Sequence, residues 1–209
     1  MMSKKKIILN CAATLFARQG FRETSMAEIS KMSGVASATV FYHYKSKEEL
    51  FIAILEQVKA SLFEAFADLA ETRTCVSGYD AVEGVVNDYL RLATDMPDAF
   101  LLLHRHFPYQ LADANEDCRT HLEEVYNCLV GFFEDAIRQG REDGSIAAMA
   151  PHKTALILFS TVDGIVRFNT YKLYDAGTLY PELMACCGRM LQPPEKRSEP
   201  GREPGLRVD

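Results

Sequence analysis

Apolar residues recur at intervals of three and four along nearly the whole chain, the spacing that gives a helix one buried face. Ile8, Cys11, Ala12, Leu15 and Phe16 follow it and predict a first helix over residues 4–19. Gly20 can take the left-handed conformation that ends a helix. Ser25 followed by Glu28 has the order of a capping box and predicts a second helix to residue 32. Ser33-Gly34-Val35 then supplies a short turn, and residues 36–44 a third helix broken at Lys45. Ser46 with Glu49 repeats the capping-box order and opens a long helix to residue 71.

Further helices are predicted at 77–95, 98–107, 115–139, 151–174 and 179–191. Met96-Pro97 and Pro108 mark breaks, Gly140 to Ser145 reads as a turn, and Pro151 suits a first helical turn, where its missing N–H costs nothing. No stretch shows the alternation bounded by turn residues that marks a hairpin. The fold expected is all-α. The helix from Pro151 is apolar on two sides, with Ala155, Leu158, Val162 and Ile165 on one stripe and Leu156, Phe159, Val166 and the neighbourhood of Asp163 on another. A helix apolar all round is buried all round.

Residues 193–209 hold four prolines, two glycines, four basic and four acidic side chains, too few apolar groups to repay ordering, and read as a disordered tail. The three divisions expected are therefore a head at 1–48, a body at 49–192 and the tail at 193–209. Apolar runs are too short for a membrane-spanning helix, which needs about 20 residues. Lys4, Lys5 and Lys6 before Ile7, Ile8 and Leu9 imitate a secretion leader, but Asn10 and Thr14 interrupt the stretch and its periodicity is helical.

Net charge is -6 over 209 residues, unevenly spread. Residues 1–51 carry eight basic and four acidic side chains, so the amino-terminal quarter is +4 and the rest -10. A basic head on an acidic body suits a polyanion partner. The six cysteines form no CxxC pair, which argues for buried thiols in a reducing cytoplasm and against metal fingers or a disulfide scaffold. Adjacent Cys186 and Cys187 point about 100° apart on a helix and make a poor chelate. His104 and His106, two apart, face away from each other and fail likewise. No metal or cofactor is expected. An enzyme is not expected either, because no Gly-rich phosphate loop, GxSxG elbow or HExxH is present.

Two short helices joined by a glycine-containing turn have the helix-turn-helix arrangement that places a recognition helix in a major groove. Residues 12–17 (AATLFA), Gly20-Phe21, residues 24–30 (TSMAEIS), Gly34-Val35 and residues 39–50 (TVFYHYKSKEEL) make the first fifty residues resemble the TetR family of bacterial transcriptional regulators. The resemblance implies a homodimer with two DNA-binding heads, a helical body that binds a small effector, and repression of a pseudo-palindromic operator relieved by that effector. By this reading Thr24, Ser25, Ser37, Ala38, Thr39, Tyr42, His43 and Lys47 face double-stranded DNA, whereas Phe41 and Tyr44 pack.

Three positions depart from the common family pattern. Phe41 lacks the usual tyrosine hydroxyl, Ala27 is shorter than in some members, and Ala36 stands where a serine often caps the recognition helix. Either Ser37 takes over that cap or the helix start is weaker by about 1 kcal/mol.

For the effector, an apolar or amphipathic molecule, a mostly apolar cavity with a few polar groups is expected. Candidate lining residues are His104, Phe107, Tyr126, Phe133, Phe159 and Asp163. The helix starting at Ser46 would join head to body without a flexible linker. An all-α small-molecule-binding module without sequence-specific DNA binding is the alternative.

Overall fold

The computed structural model describes residues 3–193, among which there are ten helices and no strand. The tail expected at 193–209 lies, apart from Pro193, outside the described residues.

Helix α1 (Lys4–Arg18) is capped by Ser3, whose Oγ accepts the Lys6 N–H at 3.3 Å. It buries Ile8, Leu9, Ala12, Leu15, Phe16 and Ala17, and Gly20 turns the chain with φ +104. Helix α2 (Met26–Ser33) has a complete capping box: Ser25 Oγ accepts from Glu28 N at 3.1 Å, and Ser25 N donates to Glu28 Oε2 at 2.7 Å. Gly34 at φ +65 closes it, a conformation that disfavours any residue with a Cβ. Helix α3 (Ser37–His43) follows and buries only Val40. Helix α4 (Lys47–Thr72) then runs unbroken out of the head. Its first turns bury Leu50, Phe51, Ile54 and Leu55, and its later turns Val58, Leu62 and Phe66.

The body consists of α5 (Gly78–Asp95), α6 (Pro97–Leu103), α7 (Phe107–Ala114), α8 (Glu116–Glu142), α9 (Pro151–Thr170) and α10 (Ala176–Leu191). Helix α8 is central, packed against α4, α5, α7 and α9. Tyr89, Phe100 and Phe133 fill the middle, each essentially inaccessible to solvent.

Several predicted boundaries move, for identifiable reasons. The helix expected at 98–107 stops early, as α6 ends at Leu103, and α7 runs from Phe107 to Ala114, where no helix was expected. Were α6 continuous with α7, the Pro108 ring would strike the carbonyl of His104; that carbonyl instead accepts the Tyr171 hydroxyl at 3.1 Å. Gly140 does not begin a turn but lies inside α8, where its lack of a side chain serves packing. A Cβ on Gly78 would come within 2.0 Å of Gly140 N, and one on Gly140 within 2.5 Å of the Ile146 side chain. The turn glycine is Gly144, at φ +72. Helix α10 starts earlier than expected, at Ala176, because Asp175 Oδ1 accepts the Gly177 N–H at 2.8 Å.

The two apolar stripes of α9 also sort differently. Ala155, Leu158, Phe159, Val162 and Val166 all face the core, whereas Leu156, Ile157 and Phe168 stand exposed with Ser160 and Thr161 between them. Within the described chain, α9 is therefore buried on one side only.

Candidate nucleic-acid interface and effector site

The recognition helix α3 rests on Val40 and leaves most of its surface outward. Ser37 and Ala38 are exposed, Thr39 and His43 half-buried, and Tyr42 is 75% exposed with its ring edge-on to His43. The cap at Ala36 makes no side-chain hydrogen bond, and Ser37 Oγ donates to Ser30 Oγ at 3.1 Å rather than capping its own helix. The start of α3 thus depends on the turn before it, where Ser30 Oγ donates to the Val35 carbonyl at 2.6 Å. Ser25 is exposed at the amino end of α2, its hydroxyl shared between Glu28 N and Glu28 Oε2. Those backbone and side-chain hydrogen bonds from Ser25 hold the Glu28 carboxyl below its ordinary range.

Two of the residues expected on DNA are used inside the head. Thr24 is 1% exposed, and its hydroxyl donates to the Gly20 carbonyl at 2.8 Å. The ammonium of Lys47 donates to the carbonyls of Phe21 and Thr24, both at 2.8 Å, and stands 4.5 Å from the centre of the Phe21 ring. Thr24 has no surface left for a phosphate, so its side chain leaves the DNA-facing set, whereas the Lys47 ammonium gives two of its three N–H donors to these carbonyls and is only half-buried. Of the aromatic pair expected to pack, Tyr44 is buried at 2% exposure, but Phe41 leaves 48% of its surface open. One cation escaped the sequence reading. Lys45, just after α3, is exposed and sits 5.9 Å from the Tyr42 ring centre, a basic-aromatic pairing that its place after the helix could have signalled.

In the body, five of the six expected effector residues come together and one does not. Asp163 Oδ1 accepts the Tyr89 hydroxyl at 2.6 Å and lies 3.0 Å from His104 Nε2. Phe159 sits edge-on to Tyr126 at 5.9 Å and to Phe133 at 6.4 Å between ring centres. The Tyr126 hydroxyl pairs with that of Tyr109. Burial, reinforced by Asp163, pushes the Tyr89 phenol well above its ordinary range, and burial next to Tyr109 does the same for Tyr126, so both are neutral hydroxyls at any ordinary pH. His104 is 3% exposed, and its Nδ1 is buried without a partner.

Phe107 is elsewhere: it stacks on Phe21 with ring centres 3.5 Å apart and meets Phe51 edge-on, at the joint between head and body. Its place in the effector set is therefore withdrawn. Tyr89 and Tyr109 were missed, since a tyrosine within an apolar stripe reads as core until its hydroxyl partner is seen. Beside α4 and α8 lies a groove of about 710 Å³ walled by Phe63 and Phe132, with Lys59 and Glu124 paired at its rim, a volume within the range of small-molecule sites.

No helix of the described residues is long and apolar enough to cross a membrane, and no group of three or more His, Cys, Asp or Glu among them could hold a metal ion.

Residues 8–54 match the family model described as "Bacterial regulatory proteins, tetR family". The HTH-type transcriptional regulator YfiR of Bacillus subtilis strain 168, itself uncharacterized, is 28% identical over 166 residues, covering 78% of this chain and 78% of that protein. Among solved structures, a protein from Saccharomonospora viridis in complex with choline superposes with a TM-score of 0.76 at 19% identity, over 90% of this chain and 97% of that one. The transcriptional regulator FadR of Bacillus subtilis in complex with stearoyl-CoA gives 0.69 at 17% identity, over 86% and 95% respectively.

Proposed function

We propose that the chain is a TetR-family DNA-binding transcription regulator with an amino-terminal helix-turn-helix and a helical body, acting as a homodimeric repressor released from a pseudo-palindromic operator by a small apolar or amphipathic effector. It acts in the cytoplasm, has no catalytic role, and divides into a head at 1–48 and a body at 49–192. The observation that carries the reading is α3 itself, a helix with a single buried side chain and Ser37, Ala38 and Tyr42 turned outward. Small polar side chains can approach base edges, and Tyr42 and His43 can donate to phosphates.

Dimerisation is supported by the outer face of α9, where Leu156, Ile157 and Phe168 flank small Ser160 and Thr161. Together with α10 this face suits a four-helix interface between two copies. Two heads then address half-sites about 34 to 36 Å apart or a multiple of that distance. The effector reading rests on the cluster around Asp163, polar at its centre and aromatic around it. That the relatives named above hold choline and stearoyl-CoA agrees with an amphipathic occupant. Release follows when the effector favours a body conformation in which the heads are wrongly spaced, and the unbroken α4 carries that change from body to head.

Selection of random duplex DNA at about 150 mM salt, where nonspecific binding is weak, tests the proposal against a Tyr42→Ala/His43→Ala variant. A pseudo-palindrome recovered by the unaltered protein alone supports it. Enrichment of no sequence by either protein overturns it and leaves a ligand-binding module without an operator.

A further inference from the structure

The outward face of α3 is poor in groups that read bases by hydrogen bonding. Its seven residues, Ser37–His43, include no arginine, lysine, asparagine or glutamine, the side chains that make two-point contacts with guanine and adenine. The Ser37 hydroxyl is engaged, donating to Ser30 Oγ at 3.1 Å. Thr39 and His43 are half-buried, and Ala38 offers only a methyl group. Lys45 lies beyond the helix, where its ammonium stands 3.4 and 3.5 Å from the carbonyls of Phe41 and Tyr42.

Two large side chains remain on that face. Tyr42 ends in a hydroxyl, which suits a phosphate oxygen. Phe41 is 48% exposed and carries no polar atom. The aromatic cluster of the head, Phe16, Phe21 and Phe51, does not include it. Residues three and four apart on a helix are neighbours, so Phe41 shares a strip with Ser37 and Ala38 in the first turn, the part that lies closest to base edges when a recognition helix enters a groove. The strip turns away from buried Val40: at about 100° per residue, Phe41 stands about 100° and Ala38 about 160° from it. A half-exposed ring gains from any contact that removes it from water. The one apolar group that base edges display in a major groove is the 5-methyl of thymine.

We infer that Phe41 is a specificity-determining residue that reads the 5-methyl group of a thymine in each operator half-site, with the short side chain of Ala38 letting the base edge come close. This rests on the reading of α3 as the recognition helix, and it gives that helix a preference for an A·T pair at the position Phe41 reaches.

The full chain is offered the duplex it selects from the random pool, and then the same duplex with each thymine of the half-site replaced in turn by uracil, which pairs alike but lacks the methyl. One such replacement, made in both half-sites, should weaken binding about fifteenfold, about fourfold for each methyl no longer buried. Phe41→Tyr, which keeps the ring, should show the same sensitivity, whereas Phe41→Ala should bind the thymine and uracil duplexes equally. The uracil series alters only the DNA, so it stands even where a variant fails to fold. Binding indifferent to uracil at every position of the half-site overturns the inference and leaves the repressor reading intact. So does a uracil penalty that persists in Phe41→Ala, since another side chain would then hold the methyl. Selection of no duplex at all is failure of the repressor reading itself, and the inference falls with it.

Discussion

Lys47 Nζ lies 2.8 Å from the carbonyl oxygen of Thr24, twenty-three positions earlier, and ties the amino end of α4 to the loop between the first two helices. The same ammonium holds the Phe21 carbonyl, so one charge closes both sides of that loop. Hydrogen bonds with one charged partner contribute about 1.5–3 kcal/mol. Lys47→Met should therefore lower the stability of the protein by about that amount in urea denaturation. It should also weaken DNA binding.

Tyr42 presents the opposite case. With 75% of its surface exposed, removal of its hydroxyl should leave the denaturation midpoint within about 0.5 kcal/mol. Tyr42→Phe should nonetheless cost about fivefold in operator affinity, the worth of one hydrogen bond of about 1 kcal/mol. Fluorescence anisotropy on the selected operator measures it, and an unchanged Kd would remove Tyr42 from the interface.

On α9, Ile157 is 58% exposed amid Leu156, Ser160 and Thr161. Ile157→Lys places a charge in the middle of the proposed contact, where it would be buried without a partner. Light scattering should show the unaltered protein as a dimer and the variant as a folded monomer. A variant that stays dimeric moves the interface elsewhere.

Stability should fall in alkali. Burial pushes the thiols of Cys118 and Cys187 from an ordinary 9.0 up to about 11, with the Cys186 charge adding to the rise at Cys187. Between those values the unfolded chain releases protons that the folded chain keeps, so the free energy of unfolding declines as pH climbs from about 9 to 11. Below pH 9 both states hold the protons and this contribution is fully present. Denaturation midpoints at pH 8, 9, 10 and 11 for the unaltered protein and for Cys118→Ala/Cys187→Ala should converge at the alkaline end.

Local signals were read well from the sequence wherever the deciding residues lay within four positions of each other. Ser25 with Glu28, Gly20, Gly34 and the break at Met96-Pro97 act as expected, because caps and turns are local chemistry. Ser46 is half a success: its Oγ accepts Glu49 N, but Glu49 Oε2 takes Lys45 N instead of Ser46 N. What could not be read depended on distant partners. Phe107 was set in the effector site because nothing local shows that Phe21, 86 positions away, lies against it. Lys47 was expected on a phosphate, because nothing local shows that two carbonyls from another loop lie within its reach. Gly140 signalled a turn, since the helix that crosses it begins sixty-two residues earlier, at Gly78. The stripes of α9 were drawn through partly wrong residues for a related reason, Phe159 and Val166 being core and Ile157 outward: periodicity shows that a helix has two apolar sides but not which of them its own chain covers.

That crossing of Gly78 and Gly140 sits at the end of the body remote from the head. With no side chain to act as a spacer, the backbones of α5 and α8 touch there and have almost no room to slide. The point behaves as a fulcrum. Helix α8 extends from Gly140 back to Glu116, roughly 36 Å at 1.5 Å per residue, toward the neighbourhood of α7 and the joint with the head. A tilt of roughly 5° about the glycine crossing displaces the far end of such an arm by about 3 Å. Adjustments too small to disturb the packing at one end of the molecule thereby become, at the other, as large as a hydrogen bond is long.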